Sequence, residues 1–490
     1  MDRKENSPLL PEKHENRKVR SVPFLWCATA CAVITFLVAL ANASSTPILS
    51  QYVHAQILNG YNTSTSNDGS SACGVNTTST TDDPLVKVQQ ETSDFLLLLA
   101  VVNNVPAIFI NVILGSSSDY LGRKMLFFIP SFGYFLRYVF CVVIMALELD
   151  IQYFYIAYFL DGLGGSMCAF LVASFAYTAD ITSNGRERIL ATSAVEACLA
   201  LATCTGMLVT GFLIPLVGYL NLNIMMTCTM FLASIIIMFL PETMERGPNK
   251  PWSPLKHFKN VFGFYFFKRG NRRGAYSLML SIFLFGVLSV LGRFGVETLY
   301  ALDRPFCWDS VQVGYFGALR SGLTSVGSLL AIKFLQRHVR DQTIALVGTV
   351  DAALACILEG LATTGWMLYL VPVVGVVSAT TIPIIRGSMS RMTSPTEQGA
   401  IFAGIGVVET VMNLISQVAY TSVYSATVGS VKGAVFFLMA GLSGVTAVLI
   451  IIWMAITPRF EHLYTVHVSP AESASNSNEN NAHIDKNTKM

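Results

Sequence analysis

Ten ionisable side chains stand inside long apolar stretches of this sequence: Arg137, Asp161, Glu196, Arg293, Glu297, Arg320, Asp351, Glu359, Arg386 and Glu409. A charge at depth in hydrocarbon costs roughly 2.5–3.5 kcal/mol on insertion scales, so such groups pair with one another or line a polar pathway. Two kinds of chemistry follow. A guanidinium is a fixed cation suited to a carboxylated ligand, and a desolvated carboxyl can take and release a proton near neutral pH. Glu196 suits the second task, since it lies between Ala, Val and Cys neighbours with no Lys or Arg within one helical turn. A buried Glu held by an interhelical hydrogen bond is the alternative there. Arg293 and Glu297 stand four apart, so along a helix they can simply neutralise each other. Asp161, in Asp-Gly-Leu-Gly-Gly, suits helix packing or a relay with a neighbouring Arg as well as ligand contact. The candidate proton-coupling residue is therefore Glu196, and the candidate substrate contacts are Arg386, Arg293, Glu297, Asp161 and Glu409.

Enzymatic chemistry has no obvious seat. No CxxC-type metal spacing occurs and no Gly-rich phosphate loop follows a strand pattern, so no catalytic residue, metal or cofactor is expected. Eight of the ten cysteines (Cys27, Cys31, Cys141, Cys168, Cys198, Cys204, Cys228 and Cys356) fall in the apolar stretches, where a small packing role suffices. The other two, Cys73 and Cys307, fall in loops.

The elements that must position these groups are set by composition. Of 490 residues 53% are hydrophobic and only 13% charged, with mean hydropathy +0.54, against about 25% charged in an ordinary soluble domain. The net charge of +2 does not suggest a nucleic-acid partner. A bilayer crossing needs roughly 20 apolar residues. Twelve such stretches occur, near 23–46, 94–117, 125–147, 151–178, 188–214, 219–240, 275–300, 311–336, 342–363, 366–386, 398–424 and 431–457. Each is read as a helix, because a lone stretch must satisfy its own backbone in lipid. The fold class is all-α, with twelve transmembrane helices in two six-helix halves, 23–240 and 275–457. These are separated by a cytoplasmic central loop, 241–274, and flanked by a polar head, 1–22, and tail, 458–490.

Basic residues fix the orientation. They crowd the head, the second loop (Arg123, Lys124), the fourth (Arg186, Arg188) and the central loop, whereas the odd loops offer little beyond Lys87 and Arg304. Both termini are cytoplasmic. The first loop, 47–93, then faces outside, and its triplets at Asn62 and Asn76 read as glycosylation acceptors. Cys73 and Cys307 share that external or lumenal face, so a disulfide between the halves is permitted by compartment. In the head, Glu5 with Leu9 and Leu10 resembles an acidic dileucine signal read by sorting adaptors, which leaves plasma membrane and endolysosome as alternative addresses. The tail has the composition of a disordered segment.

Between the second and third stretches lies Gly115-Ser-Ser-Ser-Asp119-Tyr-Leu-Gly122-Arg123-Lys124. It resembles the GxxxDxxGRK loop signature of the major facilitator superfamily with every defined position filled, and Pro241-Glu242-Thr243 after the sixth stretch adds a weaker likeness. Twelve spans in two halves built from inverted repeats, with a midplane site, are what the resemblance implies. Within that superfamily the chain looks like the proton-coupled folate transporter family, which includes a lysosomal steroid-conjugate symporter and a thymic stromal cotransporter. The likeness is carried by Ala173-Ser-Phe-Ala176, Ala179-Asp180, Glu196-Ala197, Leu299-Tyr300, Pro305-Phe-Cys307-Trp308-Asp309, Ile384-Ile-Arg386 and Thr396-Glu-Gln-Gly399. It implies proton coupling at Glu196, substrate and proton binding at Arg386, and a Cys73–Cys307 bridge. The family's folate-transporting member has a histidine in its seventh helix, whereas Val290-Leu-Gly-Arg293 offers none here.

The function expected is secondary active transport across a lipid bilayer, with protons driving symport of a small organic anion, folate-like or conjugated-steroid-like. An uncoupled facilitator or exporter, and a non-transporting receptor or scaffold on the same fold, are the alternatives. The intact loop signature and the number of intramembrane charges favour transport.

Overall fold

A computed structural model describes residues 24–64, 84–182, 186–243, 272–391 and 398–464. Among these residues the secondary structure is helical, without strands. The first half comprises α1 (Phe24–Ser64), α2 (Pro84–Leu121), α3 (Arg123–Ala146), α4 (Phe154–Gly164), α5 (Ser166–Ile181) and α6 (Arg186–Phe239). The second comprises α7 (Arg272–Val290), α8 (Arg293–Leu302), α9 (Ser310–Leu335), α10 (Asp341–Gly360), α11 (Gly365–Val374), α12 (Thr381–Arg391), α13 (Gln398–Thr427) and α14 (Ala434–Tyr464).

Nine helical segments among the described residues are long and apolar enough to cross a bilayer, or ten when α11 and α12, bent by 43°, are taken as one span. The fifth and sixth apolar stretches run together in α6, which breaks at Gly218 with φ 78°, and the eleventh falls on α13. The first two helices are longer than hydropathy suggests. With 41 and 38 residues, α1 and α2 are each about 60 Å long at 1.5 Å per residue, roughly twice the hydrocarbon thickness. The polar start of α2 holds Lys87, Gln89, Gln90 and Glu91 and the polar end of α1 holds Gln51 and Gln56, residues that extend a helix in water without marking a span.

Among the described residues three spans are interrupted. Gly165 (φ 88°) and Ser166 (φ 53°) separate α4 from α5, and Gly292 (φ 77°) separates α7 from α8. A Cβ at Gly292 would stand 2.8 Å from the backbone nitrogen of Gln417, so glycine serves both the turn and the packing of α13. The break between α11 and α12 is closed by Asp351, whose carboxylate accepts from the Val377 N–H at 2.9 Å. Broken backbone at membrane depth is tolerated where protein surrounds it.

Each half has its own core. Phe127, Tyr134, Phe170, Tyr177 and Met230 pack in the first; Met279, Phe283 and Ile385, then Tyr300, Trp308, Tyr420 and Phe436, form two clusters in the second. Across the halves α6 packs on α9 and α2 on α13. The former crossing is tight because glycines face each other: a Cβ on Gly211 would lie 2.7 Å from the Gly314 Cα. Large apolar side chains such as Phe109, Leu216 and Phe239 point outward, as lipid contact requires.

Candidate functional site

In the first half, Arg137 on α3 and Asp161 on α4 form a buried ion pair, Nη1 to Oδ2 at 2.8 Å. The guanidinium sits among Tyr134, Tyr138 and Tyr158, with its carbon 4.7, 5.0 and 5.0 Å from their ring centroids. Asn103 of α2 donates to the same carboxylate oxygen at 3.0 Å. Asp161 is thus held in a network tying three elements together.

In the second half, Arg293 at the start of α8 pairs with Glu297 one turn on and with Glu359 of α10. Its Nη1 also lies 3.2 Å from the Cys356 sulfur, and Arg320 of α9 pairs with Glu297. Two cations and two carboxylates close on themselves across three helices with no net charge. The local Arg293–Glu297 pairing expected from spacing is present, enlarged by two partners distant in sequence.

The third constellation lies between the halves. Arg386 of α12 forms an ion pair with Glu409 of α13, and both side chains keep some exposure, 26% and 18%. The guanidinium also stands over the Phe283 ring, 5.8 Å from its centroid. Glu196 of α6, in the opposite half, is partly exposed and interacts with Arg386 through space. Among the described residues Glu196 has no hydrogen-bond or ion-pair partner, so the interhelical hydrogen bond that would make it a purely structural Glu is not found there. Cys168 of α5 is within electrostatic reach of the same guanidinium. Arg386 and Glu409 are thus paired within one half, and Glu196 of the other half lies within electrostatic reach of the same guanidinium.

The loop signature forms a separate cluster at the junction of α2 and α3. Gly122 turns with φ 88°, and α3 begins directly after it without a side-chain cap of its own. Glu242, from the segment after α6, supplies the cap: its carboxylate accepts from the N–H groups of Arg123 at 2.7 Å and Lys124 at 3.2 Å. An anion at a helix N-terminus meets unpaired donors and the positive end of the dipole. Arg123 in turn pairs with Asp180 at 2.6 Å, and Thr243 donates to Asp180 at 3.3 Å. Three sequence fragments far apart in the chain, Gly122-Arg-Lys, Ala179-Asp and Pro241-Glu-Thr, thus meet. Gly115 and Asp119 lie in the last turns of α2.

Polar contacts also join the halves at several levels. Ser310 bonds Gln51, Gln90 donates to Ser425 O at 3.2 Å and Ser93 to Thr421 O at 3.1 Å. Deeper, Asn413 donates to Asn104 at 3.0 Å and Asn111 to Thr410 at 3.0 Å. These asparagines were not among the residues expected from the sequence, although amides within apolar stretches were visible there.

Of the remaining expected residues, Asn62 lies in the last turn of α1. Cys307 is disulfide-bonded, and the eight cysteines of the apolar stretches are free. Cys73, Asn76, Glu5, Leu9 and Leu10 lie outside the described residues.

The sequence pattern of the Major Facilitator Superfamily matches residues 31–417. The chain is 28% identical over 426 residues to the lysosomal proton-coupled steroid conjugate and bile acid symporter SLC46A3 of Gallus gallus, covering 84% of this chain and 90% of that one. It is 29% identical over 471 residues to the proton-coupled folate transporter of Bos taurus, covering 94% and 98%. Among solved structures, the human organic anion transporter MFSD10 has the same fold, with TM-score 0.61 and 16% identity over 88% of this chain and 100% of that one. A POT-family peptide transporter with sulfate bound superposes with TM-score 0.62 at 14% identity, covering 90% and 99%. The chain is a multi-pass membrane transporter and belongs to the Major Facilitator Superfamily.

Proposed function

We propose that this chain is a proton-driven symporter of a small organic anion, with Glu196 as the protonation switch and Arg386 as the anion-binding group. One observation carries the reading: Glu196 lies within electrostatic reach of the Arg386 guanidinium from the opposite half and, among the described residues, has no hydrogen-bond or ion-pair partner, while Glu409 pairs with that guanidinium from its own half. In a carrier that exposes its site alternately to two sides, an uncompensated charge must be lost before the site passes through a dry intermediate. On the acidic side Glu196 takes a proton. The substrate anion displaces Glu409 at Arg386 and Glu409 takes a second proton as it leaves the guanidinium, so the loaded site holds one cation, one substrate anion and two protonated carboxyls. On the other side both carboxyls give up their protons and the anion leaves as Glu409 returns to Arg386.

The relatives support the substrate class. Those proteins are proton-coupled carriers of folate and of steroid conjugates and bile acids, all organic anions. The closed ion networks at Arg137–Asp161 and Arg293–Glu297–Arg320–Glu359 are assigned structural roles, because their charges are already matched. Sorting adaptors reading Glu5, Leu9 and Leu10 are proposed as partners that hold the carrier in an endolysosomal membrane; replacing Leu9 and Leu10 with Ala then moves it to the cell surface.

The test is uptake of a labelled panel of folate-type and sulfated-steroid anions into proteoliposomes with an imposed inward proton gradient. Accumulation above equilibrium that collapses on adding a protonophore is expected. Uptake of every panel member indifferent to the gradient would overturn proton coupling.

A further inference from the structure

Charge is distributed unevenly between the contacts inside each half and those that join the halves. Ion pairs between described residues each lie within one half, such as Arg137–Asp161 in the first and Arg386–Glu409 in the second. Hydrogen bonds between described residues of opposite halves are neutral. Parting a buried ion pair strands a charge at high cost, whereas two amides that separate into water exchange their bond for hydration and lose little. A carrier that opens its site to one side and then the other needs contacts between its halves that separate and re-form, and neutral side chains supply them.

One of these contacts lies beside the Arg386–Glu409 pair. Asn413 follows Glu409 by four residues on α13, so it shares that helix face one turn on, about 6 Å along the axis. Its Nδ2 donates to Asn104 Oδ1 of α2 at 3.0 Å, and its Oδ1 accepts from Gln417 Nε2 at 2.9 Å. Asn104, only 3% exposed, passes its own Nδ2 to the Ala100 carbonyl at 2.9 Å. Three amides therefore donate in one direction, Gln417 to Asn413 to Asn104, and the last bond, to a backbone carbonyl, fixes which way they point. We propose that Asn413 is a positioning residue: its bond to Asn104 ties the halves one turn from the Glu409–Arg386 pair and sets how often they part at the end where α1 connects to α2. The tie acts whichever anion is carried.

The test is maleimide labelling of a Gln51→Cys probe in the purified full-length protein, read peptide by peptide by mass spectrometry. Gln51 is 4% exposed and lies on the other seam between the halves, where α1 bonds Ser310 of α9. It becomes reachable when the halves part, and not when α2 alone loosens from α13. Leucine keeps the branched shape of asparagine without its polar groups. Asn104→Leu and Asn413→Leu each strand the partner amide in the closed arrangement, and each should raise the labelling rate of the probe about tenfold. The double variant strands neither member of the pair, so it should label more slowly than either single. Cys31 and Cys141, 2% and 6% exposed in the core of the first half, should stay unlabelled throughout. Single variants that label at the rate of the Gln51→Cys parent would overturn the inference, and so would a double variant faster than both singles, since the two amides would then act separately. Labelling of Cys31 and Cys141 in step with the probe would also overturn it, by showing damage within a half instead of parting between halves.

Discussion

Arg386 on α12 is ion-paired with Glu409 on α13, while Glu196 on α6 meets the same guanidinium only through space. The pair lies within one half and the interaction with Glu196 crosses to the other, so the charge state of one residue bears on how the halves hold together. In the proposed cycle a substrate anion binding Arg386 competes with Glu409. Glu409→Gln removes the competing charge and keeps the shape, and it should lower the KM for anion uptake at neutral pH several-fold. Initial-rate uptake across pH checks this; an unchanged or higher KM would show that Glu409 does not compete.

Arg137 and Asp161 are 4% and 1% exposed. Removing one partner of such a pair strands the other charge, at about 3–5 kcal/mol. Arg137→Leu and Asp161→Leu should each sharply reduce the folded protein recovered in detergent and lower its melting temperature. The double variant should recover much of the loss. If it is as damaged as the sum of the singles, the two charges are not acting as a pair.

The cap on α3 comes from the segment that follows α6, so its removal should loosen that junction. Glu242→Ala deletes the carboxylate that accepts from Arg123 and Lys124 and should cost about 1–2 kcal/mol. Gly122→Ala should be at least as harmful, because its φ of 88° is strained for alanine and the Cβ would stand 2.5 Å from a Glu242 oxygen. Thermal melts of purified protein decide between these costs and neutrality.

Cys307 is disulfide-bonded, and Cys73 is the partner proposed. With a protease site placed in the central loop, the two halves should stay joined on a non-reducing gel and separate on adding reductant. Cys73→Ser should release them without reductant; halves that remain joined in that variant would assign the bridge elsewhere.

Hydropathy made the spans legible because lipid contact and internal backbone bonding leave one solution for an apolar stretch. Helix ends were less legible: α1 continues to Ser64 and α2 begins at Pro84, where polar residues keep a helix going outside lipid. The breaks at Gly165 and Gly292 have a sequence trace, yet glycines elsewhere in the spans, such as Gly211, serve close crossing instead. Neutralisation of Arg293 by Glu297 followed from a spacing of four. The bonds from Arg137 to Asp161 and from Arg386 to Glu409 join separate helices, and nothing in the order of residues ranks one such partner over another. Glu196 could be singled out because isolation along a helix is readable, and among the described residues it stays without a partner.

The central claim is that Glu196 couples the proton to the anion, and exchange set beside accumulation tests it most directly. Glu196→Gln mimics the protonated carboxyl permanently. In proteoliposomes with matched protein content it should retain trans-stimulated exchange of a labelled anion at close to the wild-type rate and lose accumulation driven by an inward proton gradient. Full proton-driven accumulation by Glu196→Gln would contradict the account.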